Sequence, residues 1–269
     1  MPVYIAVLLG IVEGLTEYLP VSSTGHLELV GHLLGLPDDA ASSSFEIVIQ
    51  LGAILAVVVH YRELLTDRIR GLFKREPESL RLLLALAIAF APAAAIGLVF
   101  RKAIKAHLFK PLPIAAALVV GGIVMIVVER VRARRGTVGE EGLDRVTPKR
   151  ALAIGLGQCF SLWPGASRSM STIVAAQLSG LSTATAAEFS FLLALPTLGA
   201  ATVFEGYKAR ESLMAHGGGV TLTVGLVVSF FVAWAVIASF LKYLRSHGLE
   251  PFGWYRIVVG VLALWILAR

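Results

Sequence analysis

Six stretches of the chain, 45–61, 80–100, 112–128, 186–204, 220–241 and 252–268, are each 17 to 22 residues long and hold at most one Asp, Glu, Lys or Arg. A helix rising 1.5 Å per residue needs about 20 such residues to cross roughly 30 Å of hydrocarbon. Lipid offers backbone amides no partner, so each run predicts a transmembrane helix whose hydrogen bonds close within the segment. A barrel is excluded, because its strands would alternate apolar and polar residues over about ten positions instead of forming solid apolar blocks. With 57% hydrophobic and only 16% charged residues, the soluble globular class is excluded too.

Two further segments are apolar but broken: 3–36, interrupted at Pro20, and 151–181, interrupted at Pro164. A helix over 3–18 would reach only about 24 Å before Pro20 removes a backbone donor and stops it. Each segment therefore predicts two half-helices meeting at a polar turn, a re-entrant hairpin. The hairpins resemble each other, EYLPVSSTGH beside SLWPGASRSMS, and Leu51-Gly52-Ala53 is echoed by Leu198-Gly199-Ala200. The expected fold is an all-α polytopic membrane protein forming one domain, with two repeats at about 1–130 and 150–269. Each repeat has one hairpin and three spans. Three spans are an odd number, so the second half enters from the opposite side, an inverted-topology repeat with both termini outside.

Charge placement agrees. The net charge is +6, and basic residues gather at Arg62, Arg68, Arg70, Lys74, Arg75 and Arg81, and again at Arg130, Arg132, Arg134, Arg135, Arg145, Lys149 and Arg150. The positive-inside rule makes both loops cytoplasmic. Juxtamembrane charge accounts for them, so no nucleic-acid partner is expected. Arg101, Lys102, Lys105 and Lys110 fall on the external side against that trend. No Lys or Arg precedes the first apolar stretch, so that stretch is expected to belong to the mature fold. Cys159 is alone, which excludes a disulfide framework and a cysteine metal site.

The breaks carry the ionisable groups. Glu13 and Glu17 are four apart and share a helix face, where like charges repel. At membrane depth each costs about 2.5 to 3.5 kcal/mol on insertion scales. Either one carboxyl keeps its proton, or a hard divalent cation, Mg²⁺ or Ca²⁺, sits between them. Ser22, Ser23, Thr24 and His26 follow directly. Arg168 lies in a serine-rich turn with Ser167 and Ser169, and Thr172 just beyond. A guanidinium, hydroxyl donors and free amides at a helix N-terminus suit a phosphate. Together the two turns supply a nucleophile, a proton-transfer group and charge stabilisation for cleaving a phosphoester or phosphoanhydride. Outside the turns, Glu188 is expected to be a structural partner, His32 an interfacial histidine, and Trp163, Trp254 and Trp265 packing or interfacial residues. A membrane phosphatase class with Ser-Gly-His and Ser-Arg elements needs a second His soon after the Arg, and SMSTIVAAQL after Arg168 has none.

GIVEGLTEYLPVSSTGH at 10–26 matches the Glu-rich motif, and PGASRSMST at 164–172 the PGxSRSxxT motif, of the undecaprenyl-diphosphate phosphatase family of the bacitracin-resistance type. FEIVIQLGAILAVV and AAEFSFLLALP are similar as well, so the chain resembles that family over nearly its whole length. Met170 departs from the pattern, standing where glycine is expected. The resemblance implies hydrolysis of undecaprenyl diphosphate to undecaprenyl phosphate and orthophosphate, a divalent-cation requirement, and a site open to the outer face of the bacterial cytoplasmic membrane. Carried over by motif position, Glu13 and Glu17 bind the cation or position the diphosphate, with Glu17 as a candidate base. Ser23 is the candidate nucleophile with Ser22 beside it, His26 an acid/base or rival nucleophile, and Arg168 the phosphate clamp. Thr24, Ser167, Ser169 and Thr172 join in binding, and a metal-activated water stands as the alternative to Ser23. The expected partners are the polyprenyl diphosphate and membrane lipids, with a homodimer left open. The competing function is transport of a polyprenyl phosphate between leaflets, alone or beside hydrolysis.

Overall fold

The computed structural model describes residues 1–37, 40–214 and 218–267, and it is helical throughout, as the apolar blocks require. Among the described residues the one extended pairing is a bridge between Glu140 and Leu181. The first hairpin is α1 (Val3–Thr16) and α2 (Ser23–Leu33). It leads into α3 (Ala40–His60), α4 (Arg62–Phe73), α5 (Pro77–Leu108) and α6 (Pro111–Arg134). The second hairpin is α7 (Pro148–Gln158), a 3-10 turn over Cys159–Leu162, and α8 (Arg168–Leu178). After it come α9 (Thr183–Met214), α10 (Gly218–Leu244) and α11 (Glu250–Leu267).

Five helices, α3, α5, α6, α9 and α10, are long and apolar enough to cross a membrane, which makes this a multi-pass membrane protein. The sixth expected run forms α11, 18 residues carrying Glu250 and Arg256, and it is not among those five. One expectation is corrected outright. The basic segment at 62–81 is not a loop: Arg62–Phe73 forms α4, because RELLTDRIRGLF alternates charged and apolar residues at helical spacing, and after a turn at 74–76 the chain enters α5 at Pro77. With Ile69 and Phe73 exposed beside the charges, α4 has the composition of an interfacial helix, not a spanning one.

Lipid tails are as apolar as leucine, so helices in a membrane associate through close packing, for which small residues are needed. Here α1 packs along α10 and α7 along α5, while α3 meets α9 and α6 meets α11. A Cβ on Gly14 of α1 would lie 2.8 Å from the Ser229 carbonyl, and one on Gly155 of α7 would lie 2.6 Å from that of Ala89. Each hairpin thus leans on a helix from the other half of the chain. Beneath the turns lies the main core, with Tyr18, Phe189 and Phe191 fully buried and Tyr18 edge-on to Phe191 at 5.0 Å. On the basic side, buried Arg132 donates to the carbonyls of Gln177 and of Leu181 (3.1 Å), tying the end of α6 to the α8–α9 turn.

Candidate active site

Both hairpin turns end in a serine with positive φ, Ser22 at 75° and Ser167 at 73°. This is a sparsely populated conformation for a residue with a Cβ. Each serine is the N-cap of the helix that follows. Ser22 Oγ accepts from the Gly25 amide (3.3 Å), and Ser167 Oγ accepts from the Met170 amide (3.2 Å). Structural equivalence therefore runs Ser22 to Ser167 and Ser23 to Arg168, with one extra residue in the second turn after its proline. Met170 is an ordinary helical residue whose amide donates to the cap serine, so this position has no need of glycine. Glycine is needed at Gly165, where φ is 91° and a Cβ would fall 2.3 Å from the Ile114 carbonyl.

The turns bring Glu17, Ser23 and Arg168 together. Ser23 Oγ donates to Glu17 Oε2 at 2.5 Å, and Arg168 Nη2 donates to Glu17 Oε1 at 3.0 Å. Both partners of this ion pair are buried. Arg168 Nη1 is held by the carbonyl (2.9 Å) and hydroxyl (3.1 Å) of Ser190, and its guanidinium stands 5.6 Å from the Tyr18 ring centroid. Tyr18 is itself fixed by donating to the Ala53 carbonyl at 2.9 Å. Arg168 Nε is buried and has no hydrogen-bond partner. Glu17, Ser23, Thr24, Ser167 and Arg168 line a cavity of about 600 Å³, whose other walls include Phe90, Leu98, Trp163, Leu198 and Phe204. Since the first amides of a helix have no intrahelical partner, the N-termini of α2 and α8 both offer donors and positive dipole ends at this cavity.

The remaining expected residues are placed differently. Ser169 Oγ donates to the Leu19 carbonyl (2.9 Å) and shares a bond with Ser167 Oγ (3.0 Å), which ties the second turn to the first. Thr172 Oγ1 bonds to Ser190 Oγ at 2.7 Å, supporting the group that holds Arg168. His26 is absent from the cavity lining. Its Nδ1 donates to the Ser22 carbonyl (2.8 Å), and in the neutral ring its Nε2 accepts from the Tyr255 hydroxyl (2.8 Å). Glu13 is fully buried, and neither carboxylate oxygen has a hydrogen-bond partner. No group of three or more His, Cys, Asp or Glu that could hold a metal ion gathers among the described residues.

Residues 6–262 match the family described as Bacitracin resistance protein BacA. The chain belongs to the BacA family. Similar proteins are consistent with that membership. An undecaprenyl-diphosphatase of Sorangium cellulosum is 65% identical over 262 residues, 97% of this chain and 85% of that protein. Undecaprenyl-diphosphatase 2 of Rhodospirillum rubrum is 48% identical over 96% of this chain and 93% of its own length. An undecaprenyl-diphosphatase of Thermoanaerobacter pseudethanolicus is 47% identical over 98% and 96% respectively.

For this BacA family member, sequence reasoning did not reach Ser190, Tyr18 and Tyr255 as parts of the site. The hydroxyls of Tyr18 and Ser190 stand in apolar runs, EYLPV and EFSFLL, and that contrast is the one sequence signal they gave. Their roles depend on which helix faces which, information that no local pattern holds.

Proposed function

We propose that this chain hydrolyses undecaprenyl diphosphate to undecaprenyl phosphate and orthophosphate, returning the lipid carrier to cell-wall synthesis. The observation that carries this reading is the hydrogen-bonded set Ser23, Glu17 and Arg168, drawn from both turns and lining a cavity with largely apolar walls. The names of the relatives agree with it. In the assigned step Ser23 Oγ attacks the terminal phosphorus while its proton passes to Glu17 Oε2. The Oγ–P bond forms as the bond from phosphorus to the bridging oxygen breaks, and undecaprenyl phosphate leaves with that electron pair. Arg168 and the helix amides stabilise the phosphoryl oxygens. Water then cleaves the phosphoserine, Ser23 regains a proton, and orthophosphate departs. We assign proton transfer to Glu17 rather than His26, because Glu17 touches Ser23 and both His26 ring nitrogens are engaged elsewhere.

A divalent cation, Mg²⁺ or Ca²⁺, fits the residues present. Glu13 holds two buried carboxylate oxygens without partners, a costly arrangement unless the group is protonated or neutralised by a cation. Hard cations are commonly held by one or two carboxylates plus phosphate oxygens. Glu13, with Glu17 beside it, would hold the ion, which when bound neutralises diphosphate charge.

We further propose α11 as the sixth span, both hairpins as re-entrant, and the two halves as inverted repeats. The matching cap serines and the crossed packing of α1 on α10 and α7 on α5 support this. The basic segments then face the cytoplasm and the cavity opens to the outer side of the cytoplasmic membrane. The same crossed packing favours a second reading, lipid transport. Purified protein in detergent should release orthophosphate from a polyprenyl diphosphate, and retention of that rate in Ser23→Ala and Arg168→Lys together would reject the hydrolytic assignment. Leaflet exchange of labelled polyprenyl phosphate that survives Ser23→Ala would establish transport.

A further inference from the structure

Arg256 lies in neither motif, yet it is the largest fully buried side chain among the described residues. Its guanidinium makes four hydrogen bonds, every one to a main-chain carbonyl. Nη1 donates to Pro20 (3.0 Å), Nη2 to Gly165 (2.9 Å) and Ala117 (3.1 Å), and Nε to Leu118 (3.3 Å). Two of the four acceptors are telling. Pro20 precedes the cap serine Ser22 by two residues, and Gly165 precedes the cap serine Ser167 by two residues. One planar fork thus grips the equivalent carbonyl of each turn while α6, through Ala117 and Leu118, holds the fork still. Gly121 of α6 leaves the space for it, since a Cβ there would meet Nη2 at 2.2 Å.

A permanent charge buried at this depth, answered only by carbonyl dipoles, is costly for packing alone. We infer that Arg256 is a positioning residue that sets the register between the two hairpin turns, and therefore between Ser23 and Arg168. This rests on the reading of those two residues as the reacting site. Lysine carries the same charge but lacks the fork that reaches carbonyls on three elements at once.

The test combines turnover with a distance. Orthophosphate release from a polyprenyl diphosphate is measured for the wild type, Arg256→Met, Arg256→Lys and Gly121→Ala. In a Cys159→Ala background, spin labels at the exposed positions Leu15 and Phe160 report the separation of the two turns by pulsed EPR. A misplacement near 1 Å remote from the chemistry costs on the order of 100-fold, so kcat should fall about 100-fold in Arg256→Met. The loss should be smaller in Arg256→Lys and Gly121→Ala, with KM within about threefold of wild type in all three. The distance distribution should broaden in step with kcat. A monodisperse Arg256→Met with wild-type kcat, or an unchanged distance distribution, overturns the inference. So does failure of all three variants to fold, which would make Arg256 a stability element only. A wild type that releases no phosphate, with distances that still broaden in the variants, would sink the hydrolytic reading and leave the positioning role standing.

Discussion

The Glu17 carboxylate is shared between Ser23 and Arg168, one oxygen to each, at 2.5 and 3.0 Å. A carboxylate in this position can take the serine proton while the guanidinium holds it in place, so the two contacts are parts of one device. Replacing Glu17 by Gln should lower kcat by about 10²- to 10⁴-fold, the range for loss of a general base. Ser23→Ala should cost at least as much, and the double variant little more than the worse single, because the two act as a unit. Full additivity in single-turnover phosphate release would show that they act separately.

Arg168→Lys keeps the charge but loses the fork that reaches Glu17 and Ser190 together. The expected loss in kcat is about 10²- to 10³-fold, that of removing a donor to a developing oxyanion. A pure rise in KM at constant kcat would instead make Arg168 a ground-state binding contact.

Glu13 separates cation binding from turnover. If its unpartnered carboxylate holds the ion, Mg²⁺ or Ca²⁺ at one hundred times Kd should stabilise the folded protein by about 2.7 kcal/mol. That rise in unfolding midpoint should vanish in Glu13→Gln and after chelation. Equal stabilisation of wild type and Glu13→Gln would place the ion elsewhere.

On the basic side, the hydrogen bond from Arg150 to Glu140, with the charges of Arg150 and Arg145 behind it, holds the Glu140 carboxyl below its usual range. A depressed carboxylate value contributes stability that is fully present above the unfolded value and is lost as pH falls through the folded one. Glu140 also pairs by backbone with Gly180 and Ser182, at 2.9 Å each, so this pair fastens the 137–145 loop to the α8–α9 turn. The difference in unfolding midpoint between wild type and Glu140→Gln should therefore be constant at neutral pH and shrink below about pH 4.3. A difference that grows on acidification would contradict this sign.

Much of the architecture was legible because its causes are local. Solid apolar blocks force helices, Pro20 and Pro164 break them, and matching turns disclose the two hairpins. The meeting of the two turns was legible from the chemistry, since the nucleophile and carboxylates of one and the guanidinium of the other make a phosphate site only together. The location of His26 was not, because Tyr255 approaches from a helix 229 residues away. Arg256 is the one charged residue in the last apolar run, and nothing in its neighbours announces that two distant turns end on it. The α4 helix was hidden by its charges, which mark the membrane boundary without saying what the backbone does there.

The cavity's walls have a kinetic consequence. Phe90, Leu98, Leu198 and Phe204 line the same space as Glu17, and Leu98 and Phe204 are also open on the helix exteriors, at 79% and 57%. On the proposed reading, a lipid presents its headgroup to Ser23 while its hydrocarbon stays in the bilayer. Substrate concentration is then a mole fraction in a plane, not a molarity in water. Diluting the lipid substrate with inert lipid at fixed bulk concentration should slow the enzyme, and adding water should not.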